Sequence, residues 1–370
     1  MSTELFYGIA LSQLKGIGDA YAKILISYAG SAENIFKLSK TKLQKINGIG
    51  PKLASIFNDT YEAQKIAERE MAFVEKNNIE ILFYYDKRYP KRLLHCADAP
   101  LYIFSKGNVD FNKDKFVNII GTRHATEYGK AITENLINVL AQHQVHIVSG
   151  LAYGIDICAH KSALKYDIQN IAVLAHGLDI IYPNQHKNIA ERLQQNGALV
   201  TTYLSGTIPD KGNFPNRNRI VAGMTDATIV VESAEKGGAL ITAEIANSYN
   251  RDVFAYPGKI TDTYSKGCLK LIKQLKAQLV TNADDILQSM NWIANDDTTA
   301  KPSQQTQLFL ELNEQEQAIV DMLKNADKLH IDVLSASLPI TLGKLSSILL
   351  QLEMQGVIQS LPGKQYKLIV

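Results

Sequence analysis

The sequence holds only three cysteines, one tryptophan and ten prolines in 370 residues. Cys96, Cys158 and Cys268 lie far apart and form no C-x-x-C pair. A disulfide framework and a zinc knuckle are therefore not indicated, and reduced thiols in a cytoplasmic setting fit best. No apolar run approaches the length that spans a bilayer. The opening MSTELFYGIALSQLKGIG lacks a charged n-region and a small-residue cleavage site, so neither export nor a membrane partner is expected. The formal net charge is only +2, from 39 basic and 37 acidic side chains. Residues 1–69 carry nine Lys/Arg against six acids, residues 110–290 carry 18 against 17, and residues 311–370 carry five against seven. An anionic ligand on the middle segment must then be held by aimed backbone dipoles and a few cations, because no broad basic face exists.

Catalytic signatures are equally scarce. The stretch GTRHATEYGKA resembles a P-loop only in passing. Seven residues rather than four separate Gly121 from Gly129, and Ala131 stands where Ser/Thr is required. The G-x-G-x-x-G fingerprint is missing after the first strand-like run, which speaks against NAD. The eight histidines are scattered, and no nucleophile elbow or zincin motif occurs. No catalytic residue, metal or cofactor is expected.

What is present begins with an internal repeat. Gly16-Ile17-Gly18 in LKGIGDAYAKIL recurs as Gly48-Ile49-Gly50 in INGIGPKLASIF. Each pair sits between helical stretches, the helix-hairpin-helix pattern. Such a turn either offers helix-start amides to a phosphate or simply closes a helical hairpin. From about residue 110, apolar runs alternate with amphipathic ones: FVNII, VHIVS, NIAVLA, ALVTTY, ATIVVE, DVFAY and QLVT. Strands rich in Val and Ile with no polar face, interleaved with helices, predict a Rossmann-like parallel α/β sheet. Residues 79–105 add edge strands or a bridging helix. Residues 291–310 gather Asp, Thr, Pro, Ser and Gln and read as a linker. The rest reads as three helices closed by a short hairpin, a winged helix. The expected domains are thus a helix-hairpin-helix (SAM-like) domain over 1–70, an extended Rossmann-like domain over 71–290, the linker, and a winged helix over 311–370.

Ligands of open parallel sheets bind at the carboxyl ends of the strands, and there the glycine-rich motifs fall. They are Gly121-Thr122-Arg123, the run from Ser149 and Gly150 through Gly154 to Asp156, Gly177-Leu178-Asp179, Gly212-Asn213-Phe214-Pro215-Asn216-Arg217-Asn218-Arg219, and Gly237-Gly238 leading to Thr242. A sugar-phosphate can rest on backbone only where no Cβ intervenes, and Arg123, Arg217 and Arg219 supply guanidinium forks. On a helix, Arg217 and Arg219 diverge, so one of them braces the loop or a strand end. Phe214 is either a base-stacking platform or a loop anchor. His160 is either near a ligand or a capping and packing residue.

These motifs, with SGLAYGIDICAH, IAVLAHGLDIIYP, GNFPNRNRIVAGMTDATIVVES, GGALITAEIA and RDVFAYPG in order across residues 119–258, resemble the DNA-processing protein A (DprA/Smf) family. The resemblance implies a dimeric, non-enzymatic protein of natural transformation and recombination. Such a protein binds single-stranded DNA, displaces or accommodates single-strand-binding protein, and loads the RecA recombinase. Carried over by motif, the DNA contacts are Arg123, Ser149, Gly150, the NFPNRNR loop, and Gly237-Gly238 with Thr242. Reading the loops adds Gly121, Thr122, Gly154, His160, Gly177 and Lys211. The chain departs from the family in having Gln169 where a lysine is common, Thr202-Tyr203-Leu204-Ser205 for a Glu-Tyr-Pro-Pro run, and Gly267-Cys268-Leu269-Lys270-Leu271-Ile272 later on. The missing lysine removes one implied phosphate contact, for which Lys165 or Lys211 could substitute.

An enzymatic alternative is a Lonely-guy-type nucleotide phosphoribohydrolase, whose PGGxGTxxE motif has a relaxed counterpart in Lys236–Glu244. The acidic, arginine-free tail argues against duplex reading by the winged helix and for a protein-contact or regulatory role.

Overall fold

The computed structural model describes residues 3–293, 312–324, 326, 328–355, 357–361 and 364–368. The chain divides into two compact units, with the boundary after Ile293.

The first unit opens with helices Thr3–Ser12, Asp19–Ala29, Ala32–Phe36, Lys40–Leu43, Pro51–Ile56 and Tyr61–Lys76. In the repeat, Gly16 and Gly48 turn the chain at φ +89° and +85°, a conformation that costs glycine nothing. Gly18 and Gly50 then serve as extended N-caps, and Pro51 takes the first helical position, where its missing N–H is no loss. The helix Tyr61–Lys76 runs past residue 70, so the expected domain boundary falls inside it.

Nine strands follow: β1 (Glu80–Phe83), β2 (Tyr102–Asn108), β3 (Phe116–Ile120), β4 (His146–Ser149), β5 (Asn170–Val173), β6 (Gly197–Thr201), β7 (Ala227–Val230), β8 (Asp252–Ala255) and β9 (Gln278–Leu279). Their order is β1-β2-β6-β5-β4-β3-β7-β8-β9. The run from β6 to β9 is parallel, and its strands from β6 to β7 are buried on both faces, as a helix-covered parallel sheet requires. β1 and β2 add antiparallel edge strands from the segment that the sequence left open between strand and helix. Their side chains alternate. Ile81, Phe83, Tyr102 and Phe104 enter the core of the N-terminal helices, while Leu82 and Ile103 enter the core of the sheet domain. β1 and β2 are therefore sandwiched between two hydrophobic cores and join the helical bundle and the sheet into one compact unit. Gly8 is needed because a Cβ there would collide with the Phe83 ring.

One polar residue interrupts the central strand β3. The Asn118 side-chain NH2 donates to the Thr225 and Thr228 hydroxyls at 2.7 and 2.8 Å, which pairs its donors inside the core. Strand order reverses at β3, whose neighbours are β4 and β7. In an open α/β sheet this switch point leaves a crevice beyond the strand carboxyl ends.

The second unit has helices Glu314–Lys324, Ile331–Ser337 and Leu342–Met354. Strands β10 (Leu329–His330), β11 (Ile358–Leu361) and β12 (Gln365–Leu368) form a small sheet in the order β10-β12-β11. This is the winged-helix plan with one strand more than the sequence suggested. Leu329 and His330 pair with β12, and the His330 imidazole caps the following helix by accepting from the Asp332 amide. Of the expected linker, residues 294–310 lie outside the described residues. Among the described residues, no single helix is long and apolar enough to cross a membrane.

Candidate nucleic-acid interface

A cleft of about 280 Å³ occupies the switch point. Four segments build it: the loop after β3, Ala152 and Asp156 after β4, the start of helix Asn213–Gly223, and the loop after β7 running into helix Gly238–Ser248. It brings together Gly121, Thr122, Arg123, Phe214, Arg217, Asn218, Gly237, Gly238 and Thr242.

Each segment has a local reason. At Gly121 the backbone passes so close to Ile155 and the Glu232 carbonyl that a Cβ would collide. Gly237 and Gly238 are different. A Cβ at Gly238 would meet nothing, and no side chain caps this helix. The glycines here keep the helix start bare rather than solve a packing problem. Its first-turn amides and positive dipole end face an open space, a favourable place for an anion. The Thr242 hydroxyl, at the cleft floor, bonds back to the Gly238 carbonyl.

Arg123 is exposed and, among the described residues, forms no ion pair. Its guanidinium lies 5.2 Å from the centre of the Phe214 ring, and that of Arg217 lies 5.9 Å from it. Phe214 is half-buried between the two cations, with Tyr182 at 6.4 Å. The ring is thus both an anchor of the loop and a wall of the cleft.

Arg217 and Arg219 diverge as their spacing requires. Arg217 is buried and donates to the carbonyls of Gly150 and Val173, tying the ends of β4 and β5 to the cleft helix. A Cβ at Gly150 would collide with this guanidinium. The buried Asp156 carboxylate accepts from the Gly150 amide at 3.1 Å. Burial raises its pKa, against the opposing pull of Arg217 and backbone amides. Arg219 points away from the cleft, to the Asp98 carboxylate at 3.0 Å and towards Asp19 at 3.7 Å.

Other expected contacts lie behind or beside the cleft. The Ser149 hydroxyl is buried against the Ile119 carbonyl. Gly154, at φ +78°, packs on the backbone of Thr122 and Arg123. His160 is fully buried. Its Nε2 accepts from the Leu151 amide, its Nδ1 sits 2.6 Å from the Asn170 side-chain oxygen, and burial lowers its pKa to about 4. It is a packing residue with no path to a ligand. Gly177 is buried in the next loop, its amide on the Thr207 carbonyl. Lys211 is exposed and Asn213 half-buried on the approach to the cleft helix, and neither lines the cleft.

Gln169 precedes β5 and lies at the opposite, amino-terminal edge of the sheet, where its amide pairs with the backbone of Asp110. Lys165, at the end of helix Ile155–Lys165, lies at that edge too and pairs with Glu134. The departure at Gln169 therefore leaves the cleft intact. Sequence reading passed over His124, Asp156 and Lys236, which also line the cleft. Asp156 closed the Ser149–Asp156 motif and Lys236 opened the Lys236–Glu244 motif, yet neither was counted among the site residues. Glu244, the carboxylate of the enzymatic alternative, is exposed on Lys276 and does not line the cleft.

Residues 80–291 match the DNA recombination-mediator protein A family, residues 300–364 the DprA winged helix domain, and residues 9–55 a SAM-like helix-hairpin-helix tandem. Protein Smf of Synechocystis sp. is 31% identical over 99% of both chains. The DNA processing protein DprA of Bacillus subtilis is 34% identical over 70% of this chain and 87% of its own. The X-ray structure of DprA from Streptococcus pneumoniae superposes with a TM-score of 0.65 at 33% identity, covering 78% of this chain and 98% of that one. DprA from Helicobacter pylori, in a structure whose subject is its single-stranded DNA binding mode, gives 0.53 at 29% identity over 58% and 95%. The chain belongs to the DNA recombination-mediator protein A family.

Proposed function

We propose that this chain binds single-stranded DNA in the switch-point cleft and passes it to a RecA recombinase, with no catalytic step. One observation carries the reading: an uncapped helix start over open space shares its cleft with Arg123, which forms no ion pair among the described residues and whose guanidinium lies over Phe214. Bare amides and a fork of N–H donors suit a phosphate. An aromatic wall suits a base of any identity, the sequence-tolerant grip expected for single strands. The family membership and the Helicobacter pylori relative support the same ligand. Recombinase loading, displacement of single-strand-binding protein, a homodimer and a cytoplasmic site of action rest on the family resemblance.

A gel shift with oligo-dT tests the cleft. Arg123→Ala is expected to weaken binding and to lower the slope of log affinity against log salt by about 1, the signature of one lost phosphate contact. Binding with unchanged affinity and slope would move the strand off this rim. The phosphoribohydrolase alternative predicts free adenine on incubation with AMP. It is disfavoured by the place of Glu244, which turns its carboxylate to Lys276 and solvent.

A further inference from the structure

A second groove, of about 540 Å³, opens beside the cleft between the first turns of helix Glu127–Gln142 and helix Ile155–Lys165. Arg123 and His124 line both cavities, so the two are continuous. The remaining wall carries Lys130, Tyr153, Ile157, Cys158 and Lys161 and no carboxylate. Lys161 stands one helical turn beyond Ile157, so its cation and the Ile157–Cys158 floor share a face. It is exposed and, among the described residues, makes no ion pair. Lys130 pairs with Glu127, which is almost fully in water, so the pairing leaves the lysine available to another anion. Tyr153 is 40% exposed, yet it is held in place. Its hydroxyl bonds to Gln185 at 2.8 Å, and its ring meets His186 edge-on at 5.1 Å.

We propose that this groove is a second subsite for the same DNA strand. The strand bends over Arg123, its next phosphates meet Lys161 and Lys130, and a base rests on the fixed face of Tyr153. The proposal rests on the cleft reading above and extends it by a direction: from the switch point over Gly154, toward helices Glu127–Gln142 and Ile155–Lys165. A cationic track lined by an aromatic platform is how sequence-tolerant single-strand sites are built.

The full-length reduced protein provides its own reporter, because Cys158 is half-buried in the groove while Cys96 and Cys268 are buried elsewhere. Maleimide labelling of Cys158, read by peptide mass spectrometry, is compared with oligo-dT of about 4 and about 15 nucleotides bound, the two ends of the usual site-size range. The short strand is expected to bind without protecting Cys158, and the long strand to slow its labelling about tenfold. Lys161→Ala with Tyr153→Ala is expected to weaken the long strand about tenfold and the short one hardly at all. Lys161→Arg and Tyr153→Phe should restore it. Equal labelling with and without a bound long strand, or a double variant that binds both lengths like wild type, overturns the groove and leaves the cleft standing. A wild-type protein that binds neither length overturns both.

Discussion

Arg217 offers the sharpest test of how the cleft is held. Its guanidinium is buried and donates to two carbonyl oxygens, of Gly150 and Val173, that end neighbouring strands. Arg217→Met roughly keeps the volume and removes the donors together with the positive charge beside Asp156 and Phe214. Two charge-assisted hydrogen bonds to buried oxygens contribute about 1.5–3 kcal/mol each, so the loss is about 4 kcal/mol. For a unit of this size that lowers the melting temperature by roughly 10 °C. Gly150→Ala should produce much of the same loss by another route, since its Cβ displaces the guanidinium. The double variant Gly150→Ala/Arg217→Met should then be little worse than Arg217→Met alone, a coupling expected of residues that share one contact. Thermal melts of the four proteins measure the cycle. Additive losses, or an Arg217→Met melt within about 2 °C of wild type, would refute the brace.

Three further outcomes follow from the same geometry. Gly238→Val adds a side chain where a Cβ meets no protein, so it should leave the melt unchanged while oligo-dT affinity falls about tenfold or more; retained affinity would show that nothing rests on that helix start. Arg219→Ala should lower the melting temperature by a few degrees, because it cuts the link to Asp98 and Asp19, yet leave the salt slope of DNA binding as in wild type; a slope reduced by about 1 would return Arg219 to the strand. His160, at about 4 when folded, is held neutral by burial, whereas the unfolded chain takes up its proton near the ordinary value of about 6.5. Between those two values the unfolded state binds more protons, so stability falls as pH falls through the window. Urea midpoints from pH 7 to 4 should drop more steeply in wild type than in His160→Gln, and parallel curves would show that His160 does not titrate with unfolding.

The sheet was legible because parallel strands covered on both faces leave unbroken Val/Ile runs, and every such run is a strand here. The cleft was legible in outline because glycines at strand carboxyl ends mark where backbone must stay bare. What the runs could not reveal was which glycines serve a ligand and which serve the protein. Gly150 makes room for a guanidinium and Gly154 for the Thr122–Arg123 backbone, whereas a Cβ at Gly238 would meet nothing and one at Gly237 only the Ser233 hydroxyl at ordinary contact distance. The Arg217–Arg219 spacing announced that the two part company, but which one turned inward depended on the carbonyls of Gly150 and Val173, distant in sequence. His160 was ambiguous for the same reason, since its partner Asn170 lies in the next strand. The packing of β1 and β2 between two cores was hidden too, because alternation along short edge strands names two faces without saying what covers them.

The duplicated hairpins show how one motif can acquire two roles. Both turn on a left-handed glycine and both cap the next helix with an extended one. The second helix of the first hairpin then begins with Asp19, whose carboxylate accepts from the Leu101 amide at 3.0 Å and faces Arg219. Its neighbour Lys23 reaches the Ala99 carbonyl. A phosphate approaching that helix start would meet a carboxylate, and the hairpin is committed to the sheet domain. In the second hairpin Pro51 takes the equivalent place, with no acidic side chain in its first turn, and a Cβ at Gly50 would meet nothing. Of the two helix starts, the second is therefore the one without a carboxylate in its first turn. The first one fixes, through Asp19 and Arg219, the outer side of the very helix whose inner side carries Phe214 and Arg217 into the cleft.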